Sequence, residues 1–453
     1  MLRISQIYRG WMAFTLLAGM LPCFVAAQTK KPGGGSGYGE VEVSNDVHHD
    51  LSKPLRTIEP VALPRHAVHV ALPRPADNRR ADTAAVRETA THPDLVNGLT
   101  GASTTLGFFN LAGVGSYFSG PDGSFTPATT PSDAIGAVGT TQYLQWVDDA
   151  FAVFSKSTGN ALYGPAAGNT IWSGFGGPCE ANNDGQPTVN FDRLASRWVV
   201  SQHAAPAGGP YYQCVAVSTT ADATGTWNRY SFTVGSVNTT WENQNAKLGV
   251  WPDGYYMGFD MYNGTTFMGP KFCSLNRSQM LLGASSGIQC IQLDTEYYSP
   301  IISDLDGATT PPTGTPAYFA ADDVNYYALD FWKFHVNWTD SQNTTLSFVI
   351  MLGQPTFGIS CGSPCIEQPN QMTLNPHGSH VLGRMPYRNY GSYQSMVAVE
   401  NAETTTTPLF YEVRVASNGD LYMYQEGELQ SNSQAYRFNP SIAEDRAGNI
   451  AVA

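Results

Sequence analysis

The sequence is poor in charged residues. Asp, Glu, Lys and Arg make up 13% of its 453 residues, about half of the share usual in globular proteins. Heptad repeats need far more Glu, Lys and Arg at their exposed positions, so this shortage excludes a long coiled coil. The hydrophobic share of 42% is enough to bury a large core, which excludes a chain that is disordered throughout.

Long apolar runs and basic blocks are also missing. No segment after residue 27 is long and apolar enough to span a bilayer. The net charge of −13 and the lack of basic clusters disfavour nucleic acid and anionic lipid as partners. Neither a phosphate-binding Gly-Lys-Ser/Thr loop nor a Gly-x-Ser-x-Gly nucleophile elbow occurs in a suitable context.

Residues 1–27 have the pattern of a secretory signal peptide. Arg3 and Arg9 supply the positive start, an apolar run extends from Trp11 to Val25, and small residues precede Gln28. An uncleaved membrane anchor is the alternative, but the run is short for a full span. The sequence therefore predicts a secreted protein, located outside the cell, on its surface or in the periplasm, with no transmembrane segment after cleavage.

Six cysteines remain after removal of Cys23 with the leader. They are Cys179, Cys214, Cys273, Cys290, Cys361 and Cys365. An even number in an exported chain predicts three disulfides, although fifteen connectivities are open. Nearness in sequence favours Cys273–Cys290. It also favours Cys361–Cys365, which leaves Cys179–Cys214.

Residues 28–105 differ in composition from the rest of the chain. They open with a Gly-rich run at 32–37, carry scattered prolines and show no sustained helical or strand periodicity. Nine basic and nine acidic residues balance within 28–100, so the negative charge belongs to the remainder. We predict a low-order arm or linker.

Residues 106–453 contain a recurring unit. Each copy has an apolar β-like run, an Asp or Asn near a turn, and a second aromatic or β-branched run. The copies begin near Ala134, Thr188, Leu248, Tyr318, Met396 and Ile442. Such spacing predicts an all-β chain that forms a β-propeller of about five to seven four-stranded blades, with a β-sandwich or a two-domain β protein as the alternative. The last copy stops after two strands, so we expect an incomplete final blade in a domain truncated at its C-terminus.

Six segments carry a resemblance to known proteins: Trp172–Cys179, Phe191–Trp198, Cys214–Thr220 with Gly225–Trp227, Lys247–Tyr256, Arg384–Arg388 and Pro440–Asn449. In these segments the chain resembles a group of secreted bacterial β-propeller proteins that are related in fold to the sialidase-like propellers. The resemblance implies export and a propeller fold, but no established reaction.

The chain departs from this group at two acidic positions. Gln186 stands in a Gly-Gln-Pro step that resembles Gly-Asp-Pro, and Asn243–Asn245 replaces a stretch in which an Asp is expected. The resemblance therefore implies no acidic site on those positions.

The segment Thr220–Trp227 looks like the Asp-box of sialidase-like blades with one extra residue. In such a box the Asp caps backbone amides, a Gly supplies a positive φ and a Trp packs beneath the turn. We interpret Asp222, Gly225 and Trp227 as structural.

A sialidase-type hydrolase needs a Tyr nucleophile, a Glu beside it and an arginine cluster. Tyr411, Glu412, Arg388 and Arg414 are the best candidates for a catalytic role. Tyr411 and Glu412 are adjacent in a predicted strand, so their side chains face opposite sides. Glu412 and Arg414 share a face and more simply form an ion pair. Since no catalytic set is assembled, the sequence does not favour an enzyme.

Two oxygen-rich loops are candidate calcium sites, which makes calcium the candidate cofactor. Asp304 and Asp306 precede Gly307, and Asp184 ends the loop Glu180–Gly185. Both loops lack the later ligands of a complete calcium loop, and the alternative is a turn that caps its own backbone.

Three functions remain open. The main hypothesis is an extracellular binding or interaction module with a glycan or protein ligand. The alternatives are a carbohydrate-active hydrolase of sialidase-like type and a structural protein of the envelope or matrix. Six aromatic residues are candidates for stacking on sugar rings: Trp146, Trp172, Trp241, Trp251, Tyr255 and Tyr256.

Overall fold

The computed structural model describes residues 39–61, 118–120, 123–125, 133–235, 240–323, 325–326, 328–353, 366–367, 373–374, 381–401, 408–429 and 439–453. The predicted signal peptide, Cys361 and Cys365 lie outside the described residues. Almost all regular structure is β. In the described part of the chain, no helix has the length and apolar character needed to cross a membrane.

The first described segment belongs to the N-terminal arm, and a short hairpin follows it. The arm contributes β1 (Glu42–Asn45), β2 (His48–Leu51) and a 3-10 turn at Leu55–Thr57. The hairpin consists of β3 (Phe118–Gly120) and β4 (Gly123–Phe125).

Five four-stranded antiparallel sheets, the blades, follow in chain order. Blade 1 contains β5 (Ile135–Val138), β6 (Gln142–Val147), β7 (Ala150–Ser155) and β8 (Ala161–Ala167). Blade 2 contains β9 (Thr188–Asp192), β10 (Arg197–Ala204), β11 (Tyr212–Ser218) and β12 (Trp227–Phe232). Blade 3 contains β13 (Trp241–Val250), β14 (Tyr255–Asn263), β15 (Thr266–Leu275) and β16 (Gly287–Gln292). Blade 4 contains β17 (Tyr297–Leu305), β18 (Ala317–Asp323), β19 (Ala328–His335) and β20 (Thr345–Gly353). Blade 5, preceded by β21 (Ile366–Glu367), β22 (Thr373–Leu374) and β23 (Val381–Leu382), contains β24 (Met385–Asn389), β25 (Gln394–Asn401), β26 (Pro408–Val415) and β27 (Leu421–Glu428).

A sixth unit is present as a hairpin of two strands that packs on β24 and β25. It consists of β28 (Ile442–Glu444) and β29 (Ile450–Val452). Between the strands lie a 3-10 turn at Gly168–Trp172, the helices α1 (Gly177–Ala181) and α2 (Arg277–Leu282), and a 3-10 turn at Ser341–Asn343.

The first strands of successive blades lie side by side. Strand β9 contacts β5 and β13, β13 contacts β17, and β17 pairs in parallel with β24. Each blade thus presents its first strand to a common axis and its fourth strand to the outside, which is the arrangement of a β-propeller. The predicted all-β propeller is confirmed.

A shared backbone feature marks each inner strand, lying just before the strand in four units and within it in blades 3 and 4. A residue with positive φ lies there in every unit: Asp133, Gln186, Asn245, Ser299, Gly383 and Asn439. Five of the six are not glycine, although this region of φ is unfavourable for residues with a Cβ. Against this marker, the predicted repeat starts at Tyr318 and Met396 are wrong by one strand, since they lie in β18 and β25, the second strands of their blades. Both second strands are almost wholly buried and contain an apolar run, 318–321 and 396–399, so they resemble an inner strand in sequence.

The arm was predicted to have low order, and its described part differs from that prediction. Strand β2 pairs antiparallel with β12 and β1 pairs antiparallel with β16, so the arm adds a fifth strand to blades 2 and 3. Leu55 is fully buried in the core beside blade 2. The polar sequence of these strands concealed them, because an edge strand buries little of its side chains.

Two of the predicted disulfides are present. Cys179 on α1 is bonded to Cys214 on β11, and Cys273 is bonded to Cys290 on the neighbouring strand of blade 3. All four cysteines of these disulfides are buried, and Cys290 is the only one of them with any exposed surface. The prediction for Cys361–Cys365 falls outside the described residues.

The Asp-box turn has the predicted structural role. Asp222 accepts hydrogen bonds from the backbone nitrogen and hydroxyl of Thr224, and the Trp227 indole packs beneath and donates to the carbonyl of Ala223. One detail is corrected: Gly225 does not have a positive φ. Its backbone nitrogen instead donates to the carbonyl of Asp222, which closes an ordinary tight turn.

Candidate functional site

The four residues predicted as catalytic candidates do not meet at one site, because they form contacts in three different places. The Tyr411 hydroxyl donates to the carboxylate of Glu400 in the blade interior, and both side chains are buried. Burial and Glu400 raise the pKa of Tyr411 well above its usual value. Glu412 faces the other side of β26, as expected for adjacent strand residues.

Glu412 forms the expected ion pair with Arg414. The guanidinium Nε of Arg414 lies 2.5 Å from Glu412 Oε1, and Gln425 Nε2 donates to Glu412 Oε2 at 2.6 Å. The Arg414 guanidinium also lies over the rings of Tyr393 and Tyr424. These contacts occupy both carboxylate oxygens of Glu412, so the pair serves the packing of blade 5.

Replacing Glu412 with glutamine is expected to destabilise blade 5 without affecting chemistry elsewhere. The amide keeps the shape but removes the charge that the partly buried guanidinium requires, at a cost of about 1–3 kcal/mol. Urea denaturation measures this loss, and Asp340→Asn, in an exposed turn, is the matched control. An unchanged unfolding midpoint would contradict the structural role of the Glu412–Arg414 pair.

Arg388 belongs to a different cluster, which includes Asp304 and Asp306, the two carboxylates of one candidate calcium site. Asp304 is buried on β17 and accepts from Arg384 Nε at 2.7 Å, from Asn190 Nδ2 at 2.9 Å and from the backbone nitrogen of Val250 at 2.9 Å. These contacts join blades 2, 3, 4 and 5 near the axis.

Asp306 completes this cluster. It accepts from Arg384 Nη2 at 3.0 Å, and Arg388 lies 4.0 Å away. Burial opposes ionisation of Asp306, but the two guanidinium groups hold its pKa below the usual range. Burial raises the pKa of Asp304 in spite of Arg384. Arginine side chains therefore neutralise the carboxylates for which calcium was predicted.

Asp184, the other calcium candidate, accepts a hydrogen bond at Oδ2 from the backbone nitrogen of Ala205, at 2.6 Å. Its loop neighbour Glu180 binds the backbone nitrogens of Gly174 and Gly176, at 2.7 Å and 2.6 Å. Within the described residues there is no group of three or more His, Cys, Asp or Glu side chains suited to a metal ion. Calcium at Asp184, Asp304 or Asp306 stays a prediction.

A second set of carboxylates lies at one end of the propeller. The loops that precede inner strands and the turns that join second to third strands lie at the same end, because strands alternate in direction within a blade. That end carries five acidic residues of blades 1 to 3, which we name the mouth cluster: Asp133, Asp148, Asp149, Asp184 and Glu242.

Asp148 is the most perturbed member of the mouth cluster. It lies in the tight turn between β6 and β7 with a φ of 55°, and its side chain is 3% exposed. Its Oδ2 atom is buried with no hydrogen-bond partner. Burial, together with the charges of Asp149 and Asp133, raises the pKa of Asp148 to about 7. A carboxyl group of this kind holds a proton near neutral pH.

Gly185 connects Asp148 to the rest of the mouth cluster. A Cβ at Gly185 would lie 3.2 Å from Asp148 Oδ1, and Gly185 has a φ of 69°. Its carbonyl accepts a hydrogen bond from the backbone nitrogen of His203, at 3.1 Å. Asp184 is the preceding residue in the chain. A side chain at this position would be strained and would push on the Asp148 turn.

Glu242 lies across from these residues at the start of blade 3. Its Oε1 accepts from Gln244 Nε2 at 3.0 Å and lies 3.9 Å from His203 Nδ1. Burial and the nearby charge of Asp184 raise the pKa of Glu242. The ring of Tyr211 stacks on His203 with 6.3 Å between centroids, and burial and Glu242 raise the pKa of Tyr211.

Comparisons with known proteins return remote likeness only. No family model matches the chain, and no curated protein matches it. An exo-1,5-alpha-L-arabinanase from a bovine ruminal metagenomic library is 9% identical, with 65% of this chain and 96% of that chain covered and a TM-score of 0.32.

Two further solved structures give similar values. An exo-beta-1,3-galactanase from Phanerochaete chrysosporium, solved with beta-1,3-galactotriose, is 12% identical over 75% of this chain and 77% of that chain, with a TM-score of 0.33. An arabinanase from Bacillus subtilis is 12% identical over 64% and 96%, with a TM-score of 0.30. Since these values are low, the propeller assignment rests on the sheet order of this chain.

Proposed function

We propose that this propeller is a carbohydrate-active hydrolase in which Asp148 donates a proton and Asp133 is the ionised partner. One observation carries the proposal: Asp148 is a buried carboxyl group with an unpartnered oxygen and a pKa raised to about 7. Asp133, which lies at the start of β5, is exposed and close enough to contribute to that shift.

Glycoside hydrolysis needs two carboxyl groups in opposite protonation states. Protonated Asp148 would give its proton to the glycosidic oxygen as the bond from that oxygen to the anomeric carbon breaks. Ionised Asp133 would take a proton from the water whose oxygen bonds to the anomeric carbon. The products are two hydroxyl-bearing sugars, and the proton gained by Asp133 returns to Asp148 through solvent.

The charge of the mouth cluster argues against the sialidase-like variant. That chemistry requires arginines that bind the carboxylate of the sugar, but Arg384 and Arg388 are engaged with Asp304 and Asp306. With Asp148 protonated, the four other acids of the mouth cluster would repel an acidic sugar. A neutral or cationic glycan fits the proposed site.

The binding-module alternative loses its main support. Of the six aromatic candidates for stacking, five are at most 1% exposed and pack inside the propeller, and Trp241 is half-buried. Export remains part of the proposal. It is supported by the bonded pairs Cys179–Cys214 and Cys273–Cys290, since disulfides persist in oxidising compartments.

The test is a hydrolysis screen of the full chain against neutral, amino-bearing and acidic oligosaccharides, with released reducing ends measured by chromatography. We expect turnover of a non-acidic class and its loss in Asp133→Asn, while Asp340→Asn keeps the wild-type rate. Glycan binding without turnover in all three classes would overturn the hydrolase and favour the binding module. Turnover that is confined to acidic sugars would contradict the assigned site.

A further inference from the structure

We propose that Asn263, in the turn between β14 and β15, is a site of spontaneous deamidation, whereas Asn418, in a second turn with the same Asn-Gly step, is protected. The modification is independent of any hydrolase activity. Both residues are followed by glycine, and so is Asn97, which lies outside the described residues. Asparagine reacts fastest before glycine, because a glycine has no Cβ to hinder its own backbone nitrogen as that nitrogen attacks the side chain.

Deamidation needs no reactant other than water. The backbone nitrogen of Gly264 bonds to Cγ of Asn263 and gives up its proton, and the bond from Cγ to Nδ2 breaks, so that Nδ2 leaves as ammonia. Water then opens the resulting cyclic imide at one of its two carbonyl carbons. Opening at Cγ gives aspartate. Opening at the main-chain carbonyl carbon gives isoaspartate, in which the main chain runs through Cγ.

The turn at Asn263 presents both reacting groups to solvent. Asn263 is the exposed last residue of β14 and pairs with Thr266, so Gly264 and Thr265 form a two-residue hairpin loop. Gly264 has a φ of 60°, and a Cβ built on it would meet nothing within 4 Å. Within the described residues, the Asn263 side chain and the Gly264 nitrogen make no hydrogen bond. No contact therefore has to break before the nitrogen attacks the amide.

Asn418 has the same Asn-Gly step in a turn that engages both reacting groups. Its Nδ2 donates to Asp420 Oδ2 at 2.6 Å, and its Oδ1 accepts from the backbone nitrogen of Asp420 at 3.1 Å. The Gly419 nitrogen, which would have to attack, donates to the carbonyl of Ala416 at 2.8 Å. Because these hydrogen bonds must break before the ring closes, the turn slows the reaction. Asn418 is a matched comparison for Asn263, since both side chains are exposed and both precede a glycine.

Deamidation of Asn263 adds negative charge at the mouth end of the propeller. The β14–β15 turn joins the second and third strands of blade 3, so it lies at the end that carries the mouth cluster. Asn263 pairs with Trp241, which precedes Glu242 in β13. Aspartate at residue 263 therefore brings a carboxylate beside the strand that carries Glu242. Isoaspartate also lengthens the main chain between Tyr262 and Gly264, which breaks the pairing with Trp241.

Peptide mapping of the full chain during incubation at mildly alkaline pH tests the inference. Mass spectrometry gives the extent of deamidation in tryptic peptides 248–271 and 415–437, each of which contains one Asn-Gly step. Chromatography separates the aspartate and isoaspartate forms. In the folded chain we expect Asn263 to react at least about tenfold faster than Asn418, because several hydrogen bonds protect Asn418. In the chain unfolded in urea, where neither turn exists, the two rates should become similar.

Two variants locate the protection, and circular dichroism confirms that each is folded. Asp420→Ala removes the acceptor of the Asn418 amide, so it should speed up deamidation of Asn418 in the folded chain and leave the rate at Asn263 unchanged. Asn263→Ser should abolish the reaction in peptide 248–271 and leave peptide 415–437 unchanged. Equal rates at Asn263 and Asn418 in the folded chain, or no reaction at Asn263, would overturn the inference. A difference that persists in urea would also overturn it, because neighbouring residues rather than the turns would then set the two rates.

Discussion

Asp148→Asn is expected to reduce glycan hydrolysis by about 10²–10⁴-fold, the range usual for removal of a general acid. The asparagine amide keeps the size of the side chain in the β6–β7 turn but has no proton of suitable acidity. Binding of substrate should change little, because the acid acts on the bond that breaks. Initial rates and binding affinities measured on the same preparation separate these two effects.

The pH profile gives a second readout of Asp148. Because its carboxyl group must be protonated to act, the wild-type rate should fall as pH rises through about 7, where Asp148 titrates. This limb should be absent from the residual activity of Asp148→Asn. Asp340→Asn, an exposed acid in a turn, should keep both the rate and the limb. A full rate in Asp148→Asn would contradict its role as proton donor.

Asp148→Asn, which is expected to lower activity, is expected to raise the stability of the folded protein. The pKa of Asp148 is higher in the folded protein than the usual 3.8. Its favourable contribution is therefore complete below about pH 4 and is lost as pH rises through about 7. Asp148→Asn removes this dependence, so the variant should gain thermal stability relative to wild type at pH 8. An inactive but stabilised variant cannot be explained by misfolding.

The sequence predicted the repeats because each blade must bury both faces against its neighbours, which imposes apolar strands at regular spacing. It misplaced two inner strands, since β18 and β25 are almost wholly buried and contain apolar runs like those expected of strands that line the axis. The positive-φ residue at each inner strand is the better marker. Steps such as Gln186-Pro187 and Ser299-Pro300 contain it, but a positive φ at Gln or Ser has no signature in the sequence.

The mouth cluster as a whole was not predictable, because its acids come from three blades, and Asp184 alone among them was singled out in the sequence, as a calcium candidate. Loss of a carboxylate at Gln186 indicated that no acidic site would form there. The structure shows why this interpretation was incomplete: Asp184 lies two residues before Gln186, and Glu242 approaches from the next blade. The only available signal in the sequence was the concentration of negative charge in the propeller. It indicates that a site would be acidic but not which residues form it.

The double variant Glu42→Gln/Asp50→Asn is expected to lose about 3 kcal/mol of unfolding free energy at each site. Each acid lies on the arm, and each neutralises a buried cation of a blade. Asp50 binds Arg229 with two hydrogen bonds of 2.7 Å and 2.6 Å, and Glu42 binds Lys271 Nζ at 2.8 Å. Arg229 is 3% exposed and Lys271 is 1% exposed. The two pairs lie on different blades, so their losses should add.

Removal of the acid leaves the two cations in different situations. Arg229 also donates to the carbonyls of Ile171 and Ser173, whereas Lys271 also donates to the carbonyl of Val234. Burial lowers the pKa of Lys271 and Glu42 partly restores it. In Glu42→Gln the lysine should lose its proton more readily, so the destabilisation at this site should diminish at high pH. Arginine stays charged, so the loss from Asp50→Asn should not diminish.

Urea denaturation of each single variant at pH 7 and pH 10 measures these losses. The control is Glu59→Gln, since Glu59 is an exposed acid on the same arm, and its unfolding free energy should stay within about 0.5 kcal/mol of wild type. A compensating pair, Glu42→Leu with Lys271→Met, should recover most of the loss, because a buried apolar contact replaces a buried ion pair at little cost. Unchanged midpoints in both acid variants would mean that β1 and β2 do not hold the blades. With the expected losses, the arm is an integral part of the propeller, since two of its blades depend on acids that lie outside the repeats.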